Sequence, residues 1–501
     1  MMDEQNPVVS HLTIQDLPQI VRELFARTRH ELLPGATRPA DLFVRYLRRK
    51  PGRGLAVIYD ASERLPHQQR SSAVHRAISL TLGEQALAGS SIRITSAQAR
   101  ATSLEQASGG IVQSPELDLA LQAFPADSSL PRLADCCSTR ADSPLLEYLQ
   151  EAGRLFLRDE SWQLFAARAF PVRYKPASRC VIRYALTLTQ PDAGSEAREV
   201  SIFGKVYADV AQARTVQGLT RQLYAEQTGF QGTTVAGFTQ QAPFLPRTLA
   251  FIENAGLVLT EAVQPAMFGG KLRTGTSVLQ PQIVQTRGGK TASTQPPASE
   301  LRLAAIALAR LHTSQVSPGQ HTLRPGSKEA KRARERAALL TGYYPKQAEQ
   351  IQDLVQTLAQ RLETLHPATY RPAHGGFKAS QLLYLDDTIS VVDFDGFCLA
   401  DPALDVGYFL AYLRPSGLWY ERQGARAWFE AAAEIFTITY TRALQELGVF
   451  SEEATGILRR SHTYTAALLF KIATRRVNRL NSPRPQELAG ILRDIASSLS
   501  I

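Results

Sequence analysis

The chain has 501 residues, of which 44% are apolar and 20% charged, and its formal net charge is +10. This length exceeds what one ordinary hydrophobic core supports, so two or three domains are expected. The sequence has no apolar run long enough to span a membrane, and its acidic first residues do not form a secretory signal. The cysteine spacing fits neither a disulfide framework nor a zinc site, which leads us to expect a cytoplasmic protein with reduced thiols.

The basic residues are scattered, with local clusters at 45–53, 328–338 and 471–479. No aromatic-interleaved stripe and no recognised nucleic-acid module accompanies these clusters. Solvated helix faces and a phosphate-rich small ligand account for the charge as well as a nucleic acid does. Polyanion binding is therefore kept as an alternative function, and nucleic acid is not the expected partner.

The first 150 residues form a mixed α+β region. Apolar residues at helical spacing predict a helix over 15–33. A Pro-Gly turn between two apolar runs predicts a β-hairpin over 40–61. Further strands are expected at 77–83 and 90–95, whereas 98–150 has no clear pattern.

Residues 151–263 form a β-rich region, with a hairpin over 170–194, a strand at 199–209, a helix at 210–227 and two strands within 247–263. The stretch 264–299 is rich in Gly, Thr, Gln and Pro, so we expect a flexible insertion there. From residue 300 to 501 the pattern is mostly helical. The expected helices are 300–313, 328–341, 346–365, 402–413, 421–447, 452–480 and 485–499.

Two of the predicted hairpins resemble each other. Segments 44–59 and 172–184 share Val-Arg-Tyr, then Lys-Pro, then a tyrosine nine residues after the lysine. This echo indicates either a chance match of two basic hairpins or a duplicated sheet. No lysine occurs between Lys50 and Lys175, so the first copy has no counterpart of Lys205 on the strand that follows the second.

One phosphate-binding motif can be excluded. The segment "RGGKTAS" at 287–293 contains Gly-Lys-Thr, the end of a P-loop motif. That motif requires a second glycine five residues before Gly289, where this chain has Val284, and an apolar strand leading into it. The match is therefore accidental.

The informative motifs are "HGGFKASQ" at 374–381 and "VVDFDGFCLADPALDVGYFL" at 391–410. They follow a β-hairpin, a strand with Lys205, a helix, an apolar strand and a second helix, in that order. The arrangement resembles the aminoglycoside phosphotransferase and choline kinase superfamily, which has H-G-D-x-x-x-x-N and I-D-F/W...G-D-P-x-x-D-L at these places. The resemblance covers about 165–480.

The resemblance implies a bilobal protein-kinase-like fold of the α+β class, with a β-rich N-lobe (151–263) and a helical C-lobe (300–501). The N-terminal region (1–150) is additional to that fold. If the echo of the two hairpins reflects duplication, this region is a degenerate copy of the N-lobe that has lost the phosphate-gripping lysine.

By resemblance, the chain would bind ATP and Mg²⁺. Lys205 would grip the nucleotide phosphates, with Glu226 on the next helix as its candidate partner. The strand end at Glu261, Ala262 and Val263 would form the hinge that contacts adenine. Asp393 would be the main metal ligand and Gln381, in place of the family's Asn, the second. These residue types fit phosphoryl transfer, which depends on positioning and on charge neutralisation.

The main departure from the family is Gly376, which occupies the position of the aspartate that accepts the substrate's proton. A general base contributes about 10²–10⁴-fold to a rate. Lys378 could neutralise the transferring phosphoryl group, and Asp395 could reach a substrate hydroxyl. With His374, these residues form the candidate catalytic set, and Asp405 resembles the aspartate that braces the loop.

Two functions remain besides polyanion binding. We favour an ATP- and Mg²⁺-dependent phosphotransferase acting on a small hydroxylated molecule, because the lysine, the metal ligands and a loop cation are retained. The alternative is a pseudokinase, a regulatory module that binds a nucleotide or ligand without phosphoryl transfer. The sequence identifies neither the acceptor nor an oligomeric state. The acceptor pocket is expected from helices 402–447 and 452–480, with these candidates: Tyr408, Phe409, Tyr412, Arg414, Trp419, Tyr420, Arg475 and Arg476.

Overall fold

The computed structural model divides the chain into two compact units. The first contains Met1–Arg214, Leu249–Thr260 and Arg476–Pro483, and the second contains the remainder. The residues that the structure describes are 23–24, 27, 41–50, 54–62, 77–83, 87–88, 91–92, 96–101, 104–108, 110–190, 197–263, 271–286, 289–478 and 484–500.

The predicted hairpin at 40–61 is present and opens a six-stranded sheet. Its elements, in chain order, are β1 (Asp41–Lys50), β2 (Gly54–Ser62), β3 (Ala77–Leu82), the short pair β4 (Leu87–Ala88) and β5 (Ser91–Ile92), helix α1 (Ser96–Ala101), β6 (Glu105–Ser108), β7 (Ile111–Ser114) and β8 (Leu119–Ala123). The strand order in the sheet is β1-β2-β3-β8-β7-β6. Of the helix predicted over 15–33, residues 23, 24 and 27 are helical, and the rest lies outside the described residues.

A second sheet follows two helices. The elements are α2 (Leu133–Cys137), α3 (Leu145–Leu157), β9 (Gln163–Lys175), β10 (Arg179–Thr189), β11 (Ala197–Tyr207), α4 (Val210–Thr228), the short pair β12 (Thr234–Val235) and β13 (Phe238–Thr239), β14 (Thr248–Ile252) and β15 (Leu257–Glu261). The sheet order is β14-β15-β11-β10-β9.

The core of the first unit follows from the alternation along β10. Every second residue from Cys180 to Leu188 is buried, because successive side chains of a strand point to opposite faces. This face packs with α3, whose Leu149 and Ala152 are fully buried. The polar hydroxyl of Tyr184 can be buried with the ring because it donates a hydrogen bond to the Cys136 carbonyl oxygen at 2.7 Å.

The two sheets share strand order over five strands, and the first has β6 in addition. In each, a three-stranded meander (β1-β2-β3 or β9-β10-β11) is extended on its third strand by the last strand of a later antiparallel group, β8 in the first sheet and β15 in the second. Tyr59 faces Ile78 across the first meander, and Tyr184 faces Ile202 across the second. Both tyrosines are buried. Three residues beyond each isoleucine lie Thr81 and Lys205, so Thr81 occupies in the first sheet the place of Lys205 in the second.

The second unit is mainly helical, as predicted, and its helix boundaries agree closely with the expected ones. Its larger helices are α6 (Ala298–His312), α7 (Gly326–Tyr343), α8 (Ala348–Thr364), α9 (Ala403–Leu413), α10 (Ala425–Glu446), α11 (Ser451–Asn478) and α12 (Leu488–Leu499). Helix α6 is buried along most of its length. Helix α9, between the loop motifs and α10, is buried at ten of its eleven residues.

The segment 264–299 differs from the expected loop. Its described residues form β16 (Leu272–Thr274), α5 (Gly275–Val278), β17 (Ile283–Thr286) and β18 (Gly289–Ala292). β16 is ordered by pairing with β20 (Leu382–Leu385), which also pairs with β21 (Thr388–Val391). The Gly-Lys-Thr of the excluded P-loop match lies in β18, paired with β17, so it opens no helix.

All four cysteines are free thiols. Burial raises the pKa of Cys136 and Cys137 to about 12 and that of Cys398 to about 11. Burial also raises the pKa of Cys180. Among the described helices, none combines the length and the apolar character needed to cross a membrane.

Candidate active site

Two strand pairs bring the sequence motifs together in the second unit. β19 (Arg371–Ala373) pairs with β22 (Cys398–Ala400), and β20 pairs with β21. The turn that follows β19 and the turn that follows β21 therefore lie side by side. The Val392 amide donates to the Gln381 carbonyl oxygen at 2.9 Å, which joins the two turns directly.

Asp393 and Gln381, the predicted metal ligands, are adjacent. The Gln381 side-chain nitrogen lies 3.3 Å from Asp393 Oδ2, and Gln381 is 7% exposed. Asp393 has a left-handed backbone (φ 73°, ψ 55°), which costs a residue other than glycine about 1–3 kcal/mol and is concentrated at functional sites. Asp tolerates this conformation better than most residues do.

The Asp393–Gln381 pair fits a magnesium ion. Gln381 Oε1 is buried and has no hydrogen-bond partner. Rotating the amide by 180° about its last bond would place that oxygen beside the carboxylate, and crystallographic amides are routinely assigned in either orientation. A carboxylate and an amide oxygen at one place are ligands suited to Mg²⁺, which keeps several waters or substrate oxygens as its other ligands.

His374 is buried and joins the two turns. Its Nε2 lies 3.2 Å from the Val392 carbonyl oxygen, and its ring packs against Phe394 with the centroids 4.8 Å apart. Burial lowers the pKa of His374, although the carboxylates of Asp405 and Asp393 oppose that effect. The imidazole therefore favours its neutral form, with Nδ1 left without a hydrogen-bond partner.

Of the two glycines after His374, the structure requires the first to be glycine but not the second. Gly375 has φ +70°, and a Cβ there would lie 2.1 Å from the Gly396 carbonyl oxygen, so only glycine fits. A Cβ on Gly376 would meet nothing nearer than Gln381 Nε2 and His374 Nδ1, each at 4.0 Å. The position of the missing aspartate is thus open, and two side-chain nitrogens border it.

Asp405 braces the loop, as the resemblance implied. Its Oδ1 accepts from the Phe377 amide at 3.4 Å, and its Oδ2 lies 3.5 Å from His312 Nε2. His312 Nδ1 in turn lies 2.7 Å from the Tyr440 hydroxyl oxygen. Burial raises the pKa of Asp405, but these two hydrogen-bond partners and the nearby histidines lower it more, so it is held ionised.

The remaining predicted catalytic residues flank this core. Lys378 precedes a 3-10 turn and places its Nζ 5.9 Å from the Tyr412 ring centroid. Asp395 lies in the 3-10 turn Phe394–Gly396, half-buried. Their catalytic roles stay predictions.

The predicted nucleotide-binding residues belong partly to the first unit. Lys205 lies on β11, half-buried, with its Nζ 5.1 Å from the Tyr207 ring centroid. Glu226 accepts from the Ser314 hydroxyl at 2.6 Å and from the Gln315 amide at 2.7 Å, so both of its oxygens are engaged at the end of α6. Its pairing with Lys205 stays a prediction.

The predicted hinge is held by Glu261. The Glu261 amide donates to the Arg247 carbonyl oxygen at 3.0 Å, and its carboxylate lies 3.4 Å from Arg247 Nε. Ala262 is buried and Val263 half-buried. The end of β15 is thereby held by backbone and side-chain contacts with Arg247 that the sequence pattern alone did not indicate.

The sequence analysis missed a group of basic residues in contact with α9. Arg324 and Lys471 lie against Tyr408, and Glu329 is buried beneath Arg324. Lys471 falls within the basic cluster at 471–479 and Glu329 within that at 328–338, and both clusters are equally typical of solvated helix faces. Of the expected pocket residues, Phe409 is buried against Phe436, and Arg414 pairs with Asp494; the Arg476 side chain lies outside the described residues.

Comparison with known proteins shows a likeness to one family. Residues 236–441 match the model of the phosphotransferase enzyme family. This part of the chain is similar to that family. The match includes Gln381 and Asp393, and it confirms the predicted resemblance to the aminoglycoside phosphotransferase and choline kinase-like superfamily. The sheets of the first unit and the helices of the second agree with the predicted α+β, bilobal protein-kinase-like fold.

Solved structures of the phosphotransferase type are similar to the chain at low identity. A choline kinase from Cryptosporidium parvum is 11% identical, with 67% of this chain and 89% of that one covered and a TM-score of 0.42. A glucosamine kinase is 16% identical, with 96% and 97% covered and a TM-score of 0.41. The amicoumacin kinase hAmiN is 14% identical, with 66% and 88% covered and a TM-score of 0.38. A search of curated proteins gave no significant match. The family assignment therefore rests on the sequence match.

Proposed function

We propose that the protein is an ATP- and Mg²⁺-dependent phosphotransferase whose acceptor is a small hydroxylated molecule. The observation that carries the proposal is the Asp393–Gln381 pair: a strained carboxylate and a buried amide oxygen without a partner, at the family's metal position. Strained backbone is concentrated at functional sites, so the conformation of Asp393 supports a retained metal-binding role.

The roles of the chain's own residues follow from their positions. Asp393 and Gln381 would hold Mg²⁺, which when bound neutralises charge on the transferring phosphoryl group. Lys205 would hold the nucleotide phosphates, and the backbone at Glu261–Val263 would contact the base. Asp405 keeps the loop in place through the Phe377 amide, and His374 ties it to Val392.

The missing base leaves the acceptor's proton to other groups. Because phosphoryl transfer has a loose transition state, positioning and charge neutralisation carry most of its acceleration. Lys378 would face the developing charge, and Asp395 would accept the proton directly or through water. The chemistry is thus slower than with an aspartate at Gly376, but it is not abolished.

The metal pair can be tested without knowing the acceptor. In a thermal-shift experiment, Mg²⁺ with a non-hydrolysable ATP analogue should raise the melting temperature of the wild type. Asp393→Asn keeps the shape and the tolerance of left-handed backbone, but it removes the charge. It should lose most of the Mg²⁺-dependent part of this rise. Asp387→Asn, on the exposed turn between β20 and β21, is the control. An unchanged rise in Asp393→Asn would place the metal elsewhere.

A pseudokinase is the second candidate, and the open position at Gly376 is the observation that favours it. The two functions differ in turnover rather than in binding. Nucleotide binding with no ADP release over a panel of alcohols and sugars would support the pseudokinase. ADP release that disappears in Asp393→Asn would exclude it.

We also propose that the N-terminal sheet is a duplicated N-lobe sheet. The proposal is supported by the common strand order and by the buried tyrosine–isoleucine pair in the same register of both meanders. Thr81 at the place of Lys205 leaves the first copy without a phosphate-binding cation. This copy would then act as a scaffold or a substrate-contacting surface rather than as a second nucleotide site.

A further inference from the structure

Two tyrosines of α9 in the second unit are surrounded by cations. The rings of Tyr408 and Tyr412 stack with their centroids 5.9 Å apart and an interplanar angle of 4°. Lys471 Nζ lies 4.4 Å from the Tyr408 centroid, and Lys378 Nζ lies 5.9 Å from that of Tyr412. A cation above each ring is attracted by its π-electrons, so the tyrosines assemble cations from α11 and from the loop after β19.

Two arginines extend this group toward the glycines of the loop. Arg475 Nη1 donates to the Tyr412 hydroxyl at 2.7 Å. The Arg324 guanidinium lies 6.0 Å from the Tyr408 centroid, and its Nη1 donates to the Gly375 carbonyl oxygen at 2.8 Å. We refer to Arg324, Arg336, Lys378, Lys471 and Arg475 as the cationic cluster. It touches the candidate active site at Gly375 and Lys378.

Among the described residues, one carboxylate accounts for the ion pairs of the group Arg324, Arg336, Lys471 and Arg475. Glu329, 0% exposed, is shared by Arg324 and Arg332, which both donate to its Oε1. In the described part of the chain, no ion pair is formed by Arg336, Lys471 or Arg475. Partly buried like charges repel one another and lose solvation, so this arrangement is costly without a compensating anion.

The pKa values of Lys471 and Arg336 are also consistent with an excess of positive charge in the cationic cluster. Burial lowers the pKa of Lys471 well below its ordinary value, and the nearby charges of Arg475, Arg336 and Arg324 lower it further. Burial also lowers the pKa of Arg336, to about 10. An anion placed among these groups would favour the charged form of Lys471 and reduce the repulsion.

We propose that the cationic cluster is a subsite for an anionic group, a carboxylate or a phosphate, carried by the acceptor that the loop phosphorylates. That the bound anion belongs to the acceptor depends on the proposed phosphotransferase function. That the cationic cluster binds an anion depends only on the geometry of the cluster. Guanidinium forks and an ammonium group are the protein's usual partners for such oxygens. A cationic acceptor would be repelled from this place.

Inorganic phosphate and acetate are suitable probes, because they carry the two anionic groups without a particular acceptor. Melting temperatures are compared without nucleotide in phosphate, acetate and chloride at equal ionic strength. Phosphate also stabilises proteins generally by exclusion from their surface, so the informative quantity is the difference between variants. The wild type should show a phosphate-specific rise. A response to phosphate alone assigns a phosphate-bearing acceptor, and a response to both assigns a carboxylate site as well.

Lys471→Met and Arg475→Ala are the test variants, and Lys331→Met on the exposed face of α7 is the control. Each test variant should lose at least about half of the anion-specific rise. Lys471→Met should also melt higher than the wild type in chloride, because it removes a repelled cation. The proposal predicts a larger anion-specific rise in melting temperature for the wild type and Lys331→Met than for the two test variants. If the rise is the same in all four proteins with both anions, the proposal is wrong. Arg475 is exposed, so Arg475→Ala still decides the question if Lys471→Met does not fold.

Failure of the proposed function would look different. Asp393→Asn should keep the phosphate-specific rise, and Lys471→Met should keep the rise caused by Mg²⁺ with the ATP analogue. A wild type that responds to phosphate but not to the nucleotide would refute the kinase function and leave the anion site standing. A wild type that responds to the nucleotide but not to phosphate would refute the anion site and leave the kinase function standing.

Discussion

Gly375 and Gly376 are neighbours in the chain, yet only Gly375 is required by its backbone. The φ of +70° and the close Gly396 carbonyl oxygen exclude a side chain at Gly375. Gly376 has neither constraint, and its open side faces His374 Nδ1 and Gln381 Nε2. The loss of the aspartate is therefore a chemical change in a loop whose backbone could still carry it.

The first prediction follows from that space. Gly376→Asp should fold with little loss of stability and should raise ADP release, with water or an added alcohol as acceptor, on the order of tenfold. Gly376→Asn, with the same shape and no basic oxygen pair, is the matched control and should not raise it. Gly375→Ala should lower the melting temperature. If Gly376→Asp leaves ADP release unchanged, proton removal does not limit the reaction, which would favour Asp395 or the substrate itself as the acceptor of that proton.

At the scale of single residues, the sequence predicted which residues lie close together where that depends on order along the chain. His374, Gln381 and Asp393 could be placed in one site from their motif spacing, and Asp405 could be named as the brace of the loop. The partners of Glu226, by contrast, come from the loop after α6. No local pattern indicates which of several polar groups a carboxylate will reach across the fold.

Among the elements, α7 depends on one buried carboxylate in its first turn. Glu329 accepts from Arg324, which precedes the helix, and from Arg332 one turn later. Burial raises the pKa of Glu329, but the two guanidinium groups lower it more, to about 2. The helix start, the loop contact at Gly375 and the cationic cluster are thus linked through a single charge.

The second prediction concerns acid stability. A carboxyl group whose folded pKa is about 2 and whose ordinary value is 4.5 stabilises the fold above pH 4.5, and this stabilisation is lost as the pH falls from 4.5 toward 2. The pKa difference corresponds to about 3 kcal/mol. Glu329→Gln should lower the free energy of unfolding in urea at pH 7 by that order, and the difference from the wild type should shrink between pH 5 and pH 3.

Glu335→Gln, on the exposed side of the same helix, is the control and should have little effect at either pH. If the unfolding curves of Glu329→Gln and the wild type stay the same distance apart at all pH values, the carboxylate is not held by the two arginines as described.

Helices and strands were predicted well where apolar periodicity was strong. The helical C-lobe and both hairpins agree with the structure because burial on one face fixes their repeat. The segment 264–299 was predicted as a loop because its Gly, Thr, Gln and Pro content outweighed its short apolar runs. Its strand β16 exists through pairing with β20, more than a hundred residues later in the chain, and a local pattern contains no information on such a partner.

For the molecule as a whole, the chain contains two sheets of one topology but a lysine at the critical place in only one of them. The first meander carries Thr81 and the second Lys205, each three residues beyond the isoleucine that faces a buried tyrosine. If both sheets derive from one N-lobe, only the second retains a lysine at this position.

The third prediction compares these two equivalent positions. Lys205→Met should remove most of the rise in melting temperature caused by Mg²⁺ with the ATP analogue, because it removes a phosphate-binding charge. Thr81→Ala, its counterpart in the first sheet, should leave that rise intact. Equal losses in both variants would mean that the two sheets share the nucleotide, and no loss in Lys205→Met would assign the phosphates to another cation.

The four native thiols, of which Cys137 is half-buried and the other three are buried, have a practical consequence for experiments on this loop. With their pKa values raised by burial, the native cysteines contain little thiolate near neutral pH and react slowly with alkylating reagents. A cysteine introduced on the exposed side of the loop, such as Ser380→Cys, would then be the fastest-reacting thiol without any native cysteine being replaced. A fluorophore attached there would report directly on nucleotides and anions arriving at the site, in a molecule that is otherwise wild type.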